Sequence, residues 1–157
     1  MPEAAAYHII PYLSVTPARE FIDFCKRAFG FAEKICMTMP GSDKLMHAQL
    51  TLGGHVIMLS DEFPMPGAPR TPKSLGGTSV TIHLQVPDVD AVFKQAVAAG
   101  ATAVMPPTDM FWGDRYGKVI DPFGHHWSIA TPKETLSAEE VQKRGDEAMK
   151  NWKPPTS

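Results

Sequence analysis

Two stretches of the chain carry apolar residues at the i, i+3, i+4, i+7 spacing of an amphipathic helix. The first follows Val15 and places Ala18, Phe21, Ile22, Cys25 and Phe29 on one stripe. The second follows Val86, with Val89, Val92, Phe93, Ala96 and Val97. Thr16-Pro17 is expected to cap and start the first helix, and Asp88 to cap the second. Gly30 and Gly100 are expected to stop them. The first four stripe positions correspond at an offset of 71 and the stopping glycines at 70. The chain therefore reads as an internal repeat.

The flanks repeat as well. Alternating segments at 8–15 (HIIPYLSV) and 79–86 (SVTIHLQV) precede the helices. Strand-like stretches follow at 32–39, 45–52 and 55–60 in the first half, and at 102–105, 115–120 and 125–131 in the second. Each half reads β-α-β-β-β. The expected organisation is a first module over 1–61, a Pro/Gly-rich exposed connector over 62–77, a second module over 78–131, and a C-terminal helix and loose tail over 132–157, within one compact domain. One helix leaves one face of its module's sheet uncovered. Two such modules predict an α+β fold: a curled, cup-shaped mixed sheet with helices outside. The alternation agrees. Val80, Ile82, Leu84 and Val86 oppose Ser79, Thr81, His83 and Gln85; Ala48, Leu50 and Leu52 oppose His47, Gln49 and Thr51; Trp127 and Ile129 oppose His126 and Ser128. A polar face rich in His and Tyr, rather than Lys and Glu, favours a binding cup over plain solvent exposure.

Composition narrows the function classes. Fifteen Lys+Arg against seventeen Asp+Glu give a net charge of −2, with no broad basic surface for nucleic acid. No apolar run reaches the roughly 18–20 residues of a membrane span. The N-terminal MPEAAAYH lacks the plan of a secretory signal, and two cysteines make no disulfide framework, so the expected location is the cytoplasm. The nine methionines are scattered over strands as adaptable gap-fillers rather than grouped as a copper box.

The run Phe24–Gly30 (FCKRAFG) closes the first helix, and Asp121–His125 (DPFGH) opens the last strand. With Pro11-Tyr12-Leu13, Met46-His47-Ala48, Met58–Glu62, Gly76-Gly77-Thr78 and Phe111–Gly117 (FWGDRYG), these stretches resemble the vicinal-oxygen-chelate superfamily, which includes glyoxalase I, extradiol dioxygenases and bleomycin-resistance proteins. Within it the likeness is to the PhnB-like group, over about residues 8–131. The resemblance implies a cup-shaped small-molecule site and a homodimer, without fixing an activity. It also implies metal ligands on the first and fourth strands of each module. Counting along the repeat lands on Ile10, Met58, Thr81 and Ser128, none a usual ligand for a hard or borderline divalent ion. A one-residue slip lands in the apolar helix-facing layer. No metal is therefore expected at those positions and no cofactor is predicted. A relocated divalent metal on His8, His47, His83 and His126, which share cup-facing parity, is the alternative.

The candidate ligand-contacting residues are His8, Tyr12, His47, Met58, Thr81, His83, Trp112, Arg115, His126 and Ser128. Arg115 can clamp a carboxylate or phosphonate; the alternative is that it pairs with Asp114 or Asp121. Phe111, Trp112 and Tyr116 can cover a planar body, and His83 and His126 are the candidate catalytic groups for proton transfer. Neither cysteine has a nucleophile's setting. Ser137 and Glu140 make a capping box for the C-terminal helix, Gly145 weakens its middle, and the KPPTS tail is expected to be loose. The leading expectation is a metal-free small-molecule-binding protein taking an anionic or planar ligand. The alternative is a lyase, isomerase or other enzyme using the histidines or a relocated metal, and the third reading is an interaction module with a vestigial cup.

Overall fold

The computed structural model describes residues 6–155. It divides into two compact units, one running to Ser79 and including Pro122–Gly124, the other comprising Val80–Asp121 and the chain from His125 onward. Each unit is built on a four-stranded mixed sheet.

In the first unit the order is β1 (Tyr12–Ser14), α1 (Ala18–Phe29), β2 (Ala32–Thr38), β3 (Leu45–Leu52), β4 (His55–Ser60) and a one-turn helix α2 (Pro72–Leu75). The sheet runs β1-β4-β3-β2, with β1 and β4 parallel and the other pairs antiparallel. Helix α1 buries Ala18, Phe21, Ile22, Phe24, Cys25, Ala28 and Phe29, the predicted stripe with two further residues. Phe21 and Phe24 meet Phe123 edge-on at 5.5 and 6.4 Å, so the DPFG turn closes this core. Gly30 takes the left-handed conformation at φ 79° that ends the helix.

The second unit contains β5 (Thr81–Gln85), α3 (Val89–Ala98), β6 (Thr102–Asp109), β7 (Asp114–Ile120), β8 (His126–Pro132) and α4 (Ala138–Met149). Its order, β5-β8-β7-β6, repeats that of the first sheet. Trp127, Ile129 and Val119 are buried on the α3 side, and the Trp127 indole donates to Asp121 at 2.8 Å. The two βαβββ units and the C-terminal helix are the predicted architecture.

Several expectations are corrected. The strand expected over 8–15 is only Tyr12–Ser14. Pro11 has no N–H to donate, and residues 6–11 are all exposed, so His8 and Ile10 have no strand parity. Thr16-Pro17 does not cap α1: Pro17 makes no side-chain cap, and Asp61 accepts the Ala18 amide instead at 3.1 Å. Asp88 caps α3 as expected, accepting from Ala91. The second strand of the second module extends to Asp109 through Pro106-Pro107, which is tolerated because β6 is an edge strand. The connector contains α2, capped by Thr71. Ser137 caps α4, but the Glu140 carboxylate meets Arg144 at 3.0 Å rather than completing a capping box. Gly145 lies against Phe111, whose ring would come within 3.1 Å of an added Cβ. Of the expected loose tail, Thr156 and Ser157 lie outside the described residues, as do residues 1–5 of the N-terminal segment read for a signal.

Candidate functional site

The register of the second sheet sets out rows of side chains on the face opposite α3. His83 on β5 is directly across from Ser128 on β8, and Ser128 is directly across from Lys118 on β7. His83 Nδ1 lies 2.7 Å from Ser128 Oγ, and Ser128 is only 3% exposed. One row away, Tyr116 stacks on the His83 imidazole, with centroids 6.2 Å apart and planes within 20°. Trp112 meets Tyr116 edge-on at 5.4 Å, and its indole donates to Asp114 at 3.1 Å. Phe111 meets Trp112 edge-on at 5.0 Å. On the other side of the row, Thr81 pairs with His126. Tyr116, two histidines and two hydroxyls are thus held by strand register, while Phe111 and Trp112 come from the turn before β7.

Lys118 belongs to this face and was missed in the sequence. It is half-buried, and among the described residues its ammonium has no hydrogen-bonding or ionic partner. Its signal was the alternation of DRYGKVI, which puts Tyr116 and Lys118 opposite Gly117 and Val119.

Arg115 is the converse. One residue from Tyr116 on a strand, it points to the α3 side. Its guanidinium donates to both oxygens of Asp90, at 2.7 and 2.9 Å, and to Asp109 at 3.2 Å. These bonds hold the Asp90 carboxyl below its usual range and raise the guanidinium further. Arg115 therefore pairs with neither Asp114 nor Asp121, and it is not the cation of the histidine-bearing face.

The first unit carries the corresponding row: Tyr12 on β1, Met58 on β4 and Gln49 on β3. His47 joins it, with Nδ1 2.8 Å from the Tyr12 hydroxyl and Nε2 3.1 Å from the Gln49 amide nitrogen. With the amide donating to Nε2, the ring proton sits on Nδ1 and the phenol oxygen accepts it. The aromatic–imidazole pair is inverted between the units. Tyr12 and His83 occupy the first strands, while His47 and Tyr116 occupy the third. His8 lies on the exposed segment before β1 and joins neither group.

The donor chemistry of the family's metal positions does not suit a divalent ion. Ile10 has no donor, Met58 is a neutral thioether, Thr81 a hydroxyl, and the Ser128 hydroxyl is bonded to His83. Among the described residues no three His, Cys, Asp or Glu side chains come together as ligands. The Cys36 thiol is pushed above its ordinary value by burial, which disfavours a nucleophilic thiolate.

A family model described as the Glyoxalase/Bleomycin resistance protein/Dioxygenase superfamily matches residues 7–129. The chain belongs to that superfamily. An uncharacterized protein of Mycobacterium bovis is 50% identical over 135 residues, covering 84% of this chain and 88% of its own. The crystal structure of TioX from Micromonospora sp. ML1 has a TM-score of 0.64 at 32% identity, covering 81% of this chain and 99% of that one. TnmS3, an antibiotic binding protein from Streptomyces sp. CB03234, shares the superfamily fold with a TM-score of 0.59 at 21% identity, over 83% of this chain and 100% of its own. No helix among the described residues is long and apolar enough to cross a membrane.

Proposed function

We propose that this superfamily member is a small-molecule-binding protein that takes an anionic or planar ligand on the face of the second sheet opposite α3, without a metal at the family's usual positions. The observation that carries the reading is the His83–Tyr116 stack, with Trp112 edge-on to Tyr116, beside the His83–Ser128 hydrogen bond. Ring faces supply apolar area while a few fixed polar groups orient the ligand. An antibiotic binding protein of the same fold supports binding without prescribing a reaction. Thermal-shift screening with planar organic molecules tests it. Ligands that raise the melting temperature of the native chain, but not of a Trp112→Ala, Tyr116→Ala variant, support the reading; indifference of both chains overturns it.

The His83–Ser128 bond favours a second reading, an enzyme in which His83, with His126 nearby on the same face, moves a proton. Turnover of a bound ligand that is lost in His83→Ala or His126→Ala would establish it. We further propose a cytoplasmic homodimer. Tyr7 and Ile9 are fully exposed, and Tyr12 and Met37 half so, an apolar set that a second copy would cover. Neither Cys25 nor Cys36 is in a disulfide, as suits a reducing compartment. Light scattering on the eluting protein at micromolar concentration checks the assembly, and a monomer mass would contradict it.

A further inference from the structure

We infer that Lys118, Ser128 and His83 form an oxyanion seat, so that the second sheet selects planar acids, carboxylates or phosphonates, over their neutral analogues. This rests on reading the polar face of that sheet as the ligand face, and it adds the group that the ligand must carry.

The charge pattern is the first ground. Three successive rows cross the sheet: Thr81–His126–Ile120–Thr102, His83–Ser128–Lys118–Met105, and Gln85–Ala130–Tyr116–Thr108. None of these positions is an Asp or Glu. Asp114, two rows further along the same face of β7, accepts the Trp112 indole. Among the described residues Lys118 is thus a half-buried cation without a counter-ion, the condition under which an incoming anion gains most from a charge-assisted hydrogen bond.

Shape is the second ground. Adjacent strands stand about 4.8 Å apart, so His83 and Lys118 are separated by two such steps, with Ser128 between them. A serine is far shorter than its neighbours. The row therefore sets a short side chain, 3% exposed and bonded to His83, between two long ones. The inventory there is an ammonium and a His83–Ser128 pair that spends one of its two donors on its own bond and keeps the other for an anion. Tyr116 and Trp112, one row over, lie where a ring attached to the anion would rest. The equivalent row of the first unit, Tyr12–Met58–Gln49, has no cation and replaces the serine with a thioether.

Calorimetric titration of the full chain with benzoate, phenylphosphonate and benzamide tests the inference. The acids should bind about tenfold tighter than benzamide, the difference expected from one charged hydrogen bond. In Lys118→Met that preference should vanish, whereas in Arg115→Gln it should persist. The tighter of the two acids identifies which oxyanion the seat prefers, and either order supports it. Equal binding of acid and amide, or an acid preference that survives Lys118→Met, overturns the seat while leaving the ligand face intact. Absence of binding by all three probes overturns both.

Discussion

At the scale of single residues, the repeat shows how one structural need is met by different chemistry. The first amide of α1, Ala18, donates to the Asp61 carboxylate, which also accepts Leu45 N–H at 2.7 Å. The first amide of α3, Val89, donates to Thr131 Oγ1 at 2.8 Å, and that hydroxyl donates onward to the Val86 carbonyl. Asp61 and Thr131 are repeat equivalents, each just past or within the last strand of its module, and both do the work of a cap from outside the helix. Asp61 is 5% exposed and serves two buried amides. Asp61→Ala should therefore cost about 2 kcal/mol or more, because two donors lose their partner. Thr131→Ala should cost about 1 kcal/mol. Urea denaturation of the two variants measures both, and equal small losses would contradict the capping role of Asp61. This substitution of partners also explains why sequence reading erred at Thr16-Pro17. Local patterns identify caps supplied from within the helix start, and Asp61 is 43 residues away from the amide it serves. Arg115 was misplaced for a related reason: its motif suggested a clamp, but the strand's alternation, once fixed by register, puts it beside Asp90.

At the scale of elements, alternation and helical periodicity were legible wherever one face is buried. Over most of the 45–52 strand, the 55–60 strand and the α1 stripe the structure is as the pattern predicts, because Ala48, Leu50, Ile57 and Leu59 are all buried. The strands that contain or follow prolines were less legible. β1 and β6 each have a single strand neighbour, and their limits follow prolines and bulges rather than pattern. Gly117 marks where α3 and β6 press on β7: an added Cβ would sit 3.1 Å from the Met105 carbonyl oxygen and 3.1 Å from Phe93. Gly117→Ala should destabilise the second unit by about 1–3 kcal/mol through overpacking, read as a lower denaturation midpoint. The connector has its own fastening. The Glu62 carboxylate accepts the Thr71 amide and the Ser74 hydroxyl, each at 2.8 Å, and these bonds hold it below its ordinary 4.5. A depressed carboxyl stabilises the folded form above its unfolded value and loses that contribution as pH falls through the folded one. The Thr71 amide should therefore be protected from hydrogen exchange near about pH 6 and lose protection locally as Glu62 protonates, at a pH where the α1 amides stay protected. Glu62→Gln should remove the pH dependence. Protection of Thr71 that does not change on acidification would contradict the fastening.

At the scale of the whole molecule, the two units share strand order and helix placement yet have diverged on the sheet face that carries the histidines. Tyr12 and His47 in the first correspond to His83 and Tyr116 in the second with the residue types exchanged, so the aromatic–imidazole contact is kept while its hydrogen bonding is not. Gln49 faces Met58 where Lys118 faces Ser128. The chain carries a net charge of −2, so its overall field does not draw in an anion, and the proposed selectivity for acids rests on the local cation. If that cation decides binding, the duplicated fold should behave as a single-site protein toward acids. Calorimetric saturation with phenylphosphonate should then give a single equivalent per chain. Of the chain's three tryptophans, Trp112 alone touches Tyr116, so binding should change the fluorescence of the native protein and leave that of Trp112→Phe unaltered. Two equivalents per chain, or a fluorescence change that persists in Trp112→Phe, would mean that the row at Gln49 binds acids as well. Such a result would show that the ring–imidazole pair common to both units, rather than the lysine unique to the second, is what recognises the ligand.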